Sequence, residues 1–66
     1  MKIQATFIGH NHSNGYVHNM RYALIIEQTS EGEIYIRVDS FHQRDRLCVY
    51  STITGFLKNW TLITTI

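Results

Sequence analysis

The chain has 66 residues, a formal net charge of +1 from six basic and five acidic side chains, and 44% apolar residues including eight aromatic rings. That length supports one small domain, residues 1–66, which buries only about 60% of its unfolded surface and so has a thin core. The near-neutral balance excludes a strongly electrostatic nucleic-acid module, and the lone Cys48 excludes an internal disulfide and suits a reducing cytoplasm.

Residues 2–8, KIQATFI, alternate, with Ile3, Ala5 and Phe7 on one face and Lys2, Gln4 and Thr6 on the other. A period of two predicts a half-buried strand. No long apolar leader precedes it, and no stretch approaches the roughly 18 apolar residues of a membrane helix. Gly9 closes the strand, and HNHSNG at 10–15 reads as loop.

MRYALIIEQ at 20–28 is apolar on both faces, as expected of a central strand. The connection 29–33, TSEGE, makes a hairpin to a third strand, IYIRVD at 34–39. There Ile34, Ile36 and Val38 face one way, and Tyr35, Arg37 and Asp39 the other. Residues 40–46 are a charged loop, and Leu47 to Tyr50 a short fourth apolar run.

The period then changes. Ile53, Phe56, Leu57 and Trp60 recur at i, i+3, i+4 and i+7, which predicts one helical stripe. Ser51 or Thr52 can cap it, and Gly55 within it suggests a close approach to the sheet. The β-branched tail 61–66, TLITTI, suits a last strand. The expected fold is α+β: a three- to four-stranded antiparallel sheet with one C-terminal helix packed on it, in the order β-β-β-(β)-α-β.

Four stretches occur together: ATFIG at 5–9, GY at 15–16, Tyr22-x-Leu24, and CVYSTITGFLKNW at 48–60. In this combination the chain resembles a group of small accessory proteins of tailed bacteriophages. The resemblance implies a protein working in a bacterial host cytoplasm, of a kind that binds and disables a host protein, including components of antiviral defence. It carries no catalytic residues. In that group the loop after ATFIG lacks a histidine pair, so the histidines here are a local feature.

Three sets of residues could carry chemistry. His10, His12 and His18 could hold zinc or copper, with His42 approaching from another loop. Yet residues 9–26 contain no Cys, Asp or Glu to complete a site or act as a base, so a solvated loop is the simpler reading, and no cofactor is expected. Tyr35, Arg37, Phe41, His42, Arg44 and Arg46 interleave aromatic and basic groups. Such a set suits the centre of a protein interface or a nucleic-acid or nucleotide site. Asp39 and Asp45 neutralise much of its field, which favours a protein partner. Leu62, Ile63 and Ile66 would be exposed unless paired, so a homodimer through this tail or an outer strand is expected.

Cys48, Ser51 and Thr52 lack the base and orienting group of a nucleophile, so no enzyme is expected. The reading is a phage-type binding protein that inhibits or redirects a bacterial host protein. A nucleic-acid or nucleotide module and a His-loop metal module are the alternatives.

Overall fold

A computed structural model describes residues 1–11, 15–39 and 48–65. The elements are β1 (Lys2–Phe7), β2 (Arg21–Gln28), β3 (Ile34–Val38), β4 (Cys48–Tyr50), α1 (Ile53–Asn59) and β5 (Trp60–Thr65). The fold is the small α+β arrangement expected, with a fifth strand completing the sheet. All pairings are antiparallel, in the order β4-β3-β2-β1-β5.

The alternation decides which side of each strand is buried. Ile3, Ala5 and Phe7 are buried from β1, Leu24 from β2, Ile34 and Ile36 from β3, and Cys48 from β4. The register aligns Ile3 with Leu24, and Ile36 with both Ile26 and Cys48, so these side chains share one inner face. β2, apolar on both sides, lies at the centre of the sheet as its sequence requires.

The sheet is curled. Laid flat, its five strands would put the two edges roughly 19 Å apart at about 4.8 Å per gap. Yet Trp60 Nε1–H at one edge donates to the hydroxyl of Tyr50 at the other (3.1 Å). The connection between those edges is a helix of only seven residues, about 10 Å long. A short helix and a Trp–Tyr hydrogen bond can both bridge the edges only if the sheet wraps round.

Three details depart from the sequence reading. The helix stops at Asn59, and Trp60 is the first residue of β5, paired with Phe7. Of the expected stripe only Phe56 is buried from α1, while Ile53 and Leu57 stay 47% and 52% exposed. A helix of two turns rolls one residue fully onto the core, and the fold takes its Trp from the strand instead. Gly55 is no close-approach site: a Cβ there would sit 3.6 Å from Thr52 Oγ1 and 3.8 Å from Tyr50 Cδ1, which is ordinary contact. The tight glycine is Gly9, where a Cβ would fall 2.6 Å from Asn59 Oδ1 and from the Phe7 ring. Thr52 is the N-cap, its hydroxyl accepting from the Gly55 N–H (3.1 Å).

The tail is paired within the chain. β5 lies along β1, with Thr61 opposite Thr6 and Thr64 opposite Gln4. β5 thus takes one more step than β1 between these pairs, which is a bulge. Leu62 absorbs it at φ 51°, a left-handed conformation costing a residue with a Cβ about 1–2 kcal/mol. Arg21 holds it there. Its guanidinium reaches from β2 across β1, donating to the Leu62 carbonyl (2.7 Å), Thr64 Oγ1 (2.9 Å), Thr6 Oγ1 (3.2 Å) and the Gln4 carbonyl (3.5 Å).

Two outcomes follow for stability. Leu62→Gly removes the left-handed penalty at a side chain that is 69% exposed, so it should stabilise by about 1 kcal/mol, read as a higher urea midpoint. A lower midpoint would show that Leu62 is not strained. Gly9→Ala should lower the midpoint, because a Cβ meets both the Phe7 ring and Asn59; an unchanged midpoint would mean that the 8–11 segment moves away freely.

Candidate interaction surface

The outer face of the sheet collects the side chains that alternation points away from the core. Two cross-strand rows dominate it. One runs Lys2–Ile25–Arg37 and the next Glu27–Tyr35–Val49. Ile25, Glu27, Tyr35, Ile36 and Arg37 line a depression of about 130 Å³ between β2 and β3. The sequence-derived pair Tyr35 and Arg37 therefore stands together on one face. Phe41, His42, Arg44 and Arg46 lie outside the described residues.

Tyr35 and Arg37 differ from their chemical equivalents elsewhere in the fold. Every other described aromatic ring belongs to one inner cluster. Trp60 meets Tyr16 (4.9 Å between centroids), Phe7 (5.0 Å), Tyr22 (6.0 Å) and Phe56 (6.3 Å), and Phe56 meets Tyr50 (5.8 Å). Arg21 is saturated by strand oxygens. Among the described residues, neither the Tyr35 hydroxyl nor the Arg37 guanidinium has a hydrogen-bond or ion-pair partner. A half-buried arginine keeps up to five donors in a fixed fork, so Arg37 presents unused, directional hydrogen-bonding capacity.

The apolar side chains beside them are unusual for a water-facing sheet surface. Val49 is 47% exposed next to Tyr35, and Ile25 sits between Lys2 and Arg37. Charge on this face is mixed. Lys2 Nζ pairs with Asp39 Oδ2 at 3.4 Å, an exposed contact contributing at most about 1 kcal/mol, and Glu27 stands in the Tyr35 row.

The histidine set is only partly described. His12 lies outside the described residues. His18 is tied into its own loop: its Nδ1 lies 2.9 Å from the Gly9 carbonyl, and its backbone N–H donates to Asn11 Oδ1 (3.0 Å). A carbonyl only accepts, so Nδ1 carries the proton, and His18 serves as a clasp between residues 9, 11 and 18. Among the described residues no three His, Cys, Asp or Glu side chains come together at metal-binding distances.

Of the tail set, Leu62 and Ile63 are exposed on β5 while its backbone is paired to β1; Ile66 lies outside the described residues. β5 pairs with β1 on one side only and is an edge of the described sheet.

Sequence reasoning missed two structural residues here. Tyr16 falls between the loop expected at 10–15 and the strand expected at 20–28, yet it is fully buried against Phe7, Tyr22 and Trp60. Its signal was an aromatic residue directly after a turn-forming Gly15. Arg21 gave no signal, because its four acceptors lie on two other strands, β1 and β5, far from it in sequence. Comparison with family models, with curated proteins and with solved structures gave no match.

One group at the inner end of the fold has a shifted acidity. Burial pushes the Tyr50 phenol up from 10.0 to about 12, helped by the neighbouring Cys48 and opposed by the hydrogen bond from Trp60. The folded state therefore favours the neutral phenol. Its contribution is fully present below pH 10 and is lost as pH rises from 10 towards 12. The urea midpoint should fall across that window, and Tyr50→Phe should flatten the fall; an equally steep fall in the variant would assign it to other groups.

Proposed function

We infer that this chain is a non-enzymatic binding protein of the bacteriophage accessory type, which inhibits or redirects a protein of its bacterial host. It works in the host cytoplasm, by protein–protein contact through the outer face of the sheet. The observation that carries this reading is the state of Tyr35 and Arg37. Six of the eight aromatic rings form the inner cluster, while Tyr35 is turned outward beside an arginine that has no partner among the described residues and an exposed valine.

Tyr and Arg are the residue types that anchor protein interfaces, and isolated apolar neighbours complete a dry centre. Phe41, His42, Arg44 and Arg46 belong to the sequence between β3 and β4 and lie outside the described residues. A protein partner suits this face better than a phosphate backbone. Lys2 is already neutralised by Asp39, Glu27 lies in the depression beside Arg37, and a phosphate-binding groove would have neither feature.

The test is capture from nuclease-treated bacterial lysate on the immobilised protein, with a Tyr35→Ala/Arg37→Ala double variant alongside. One host protein retained by the wild-type chain, and bound at least about 30-fold more weakly by the variant, is expected for loss of two interface anchors of about 2 kcal/mol or more in total. Equal retention by the variant, or retention lost on nuclease treatment, would overturn the reading.

A further inference from the structure

A second concavity lies at the other end of β2 and β3, next to their hairpin and the start of α1. Its volume is about 510 Å³, and it is lined by Met1, Ile26, Glu27, Gln28, Ile34 and Ile53. Four of these six are large aliphatic residues. Ile34 is 2% exposed and anchored in the core, while Met1 is 75% exposed and, with Ile53, forms an open wall. Pockets for small molecules enclose most of the ligand surface, which walls this exposed do not. The shape suits side chains from a segment laid across the groove.

The charge around the groove is one-sided. Residues 22–36 contain Glu27, Glu31 and Glu33 and no Lys or Arg. The hairpin is closed by Thr29 N–H to the Glu33 carbonyl (2.9 Å) and Gly32 N–H to the Thr29 carbonyl (3.0 Å), which holds these carboxylates at the same end of the molecule. Among the described residues the one ion pair is Lys2–Asp39, so none of the three is held in an ion pair there, although Glu27 also borders the depression that holds Arg37. The positive group nearby is the Met1 amine, bonded to the Ile26 carbonyl at 3.2 Å. Among the described residues of the groove and hairpin, three carboxylates stand against one amine, which leaves this end acidic.

We propose that this groove docks an amphipathic segment of another protein, whose apolar side chains fill the Met1–Ile26–Ile34–Ile53 surface and whose Lys or Arg side chains meet Glu27, Glu31 and Glu33. A second copy of this chain fits poorly, because a two-fold contact places the same patch on both subunits and sets acidic rim against acidic rim. This surface is additional to the Tyr35–Arg37 face and does not depend on it.

The test is titration of the isotope-labelled full chain, by amide NMR, with two synthetic peptides. Both carry Leu at i, i+3, i+4 and i+7; one has Lys and the other Glu at the remaining positions. Amide shifts at Ile26, Glu27, Gln28, Ile34 and Ile53 are expected with the Leu/Lys peptide, with affinity at least about tenfold lower for the Leu/Glu peptide. A Glu27→Lys/Glu33→Lys variant should reverse that preference. Ile53→Asp should abolish binding while leaving the rest of the spectrum in place, since Ile53 is half exposed. Tyr35→Ala/Arg37→Ala should still bind the peptide, which separates this site from the outer face. Equal affinity for both peptides, shifts centred on Tyr35 and Arg37, or no binding would overturn the proposal. So would groove shifts that grow with protein concentration alone, which would make a second copy the occupant.

Discussion

The fold depends on where Trp60 sits. It stands at the junction of α1 and β5, opposite Phe7 of β1. Its ring meets Tyr16 from the β1–β2 connection, Tyr22 from β2 and Phe56 from α1, and its Nε1–H reaches Tyr50 on β4. One side chain therefore touches four of the five strands or their connections and the helix. A domain of this size has roughly 3–10 kcal/mol of stability, and truncating a buried Trp to Ala costs about 3–5 kcal/mol. The inner cluster is thus comparable to the whole margin of stability. The indole N–H that would be costly if buried alone is satisfied by the Tyr50 hydroxyl.

That concentration of aromatic rings has a geometric consequence. Rings this large cannot be covered by a flat five-stranded sheet and a two-turn helix, so the sheet curls and its edge strands approach each other. At the β1–β5 seam Leu62 takes a left-handed conformation, and Arg21 of β2 bonds to both β1 and β5 across the bulge. Arg21 and Arg37 are the same residue type on neighbouring strands of the same sheet. One is consumed in holding the seam, and the other has no hydrogen-bond or ion-pair partner among the described residues.

The two concavities share Glu27. It is the last charged residue of β2 before the hairpin, so it borders the Tyr35–Arg37 face on one side and the aliphatic groove on the other. The surface is divided by charge: mixed and arginine-bearing on the outer face, acidic at the hairpin end. With a net charge of +1, such a division arises only from where the charges lie.

The strands were legible from the amino-acid sequence because a period of two leaves only one way to bury Ile3, Ala5, Phe7, Leu24, Ile34 and Ile36 together. The central place of β2, the cap at Thr52 and the outward turn of Tyr35 and Arg37 followed from the same local rules. The end of the helix did not. Helical spacing assigned Trp60 to α1, but pairing with Phe7 on a strand 53 residues earlier outweighs one more helical turn. Tyr16, Arg21, Gly9 and Leu62 were likewise settled by tertiary contacts, each with a partner far away in sequence or across a strand. Local periodicity carries the information for which face is buried, whereas the curl and the seam arise from contacts between distant segments that no local pattern encodes.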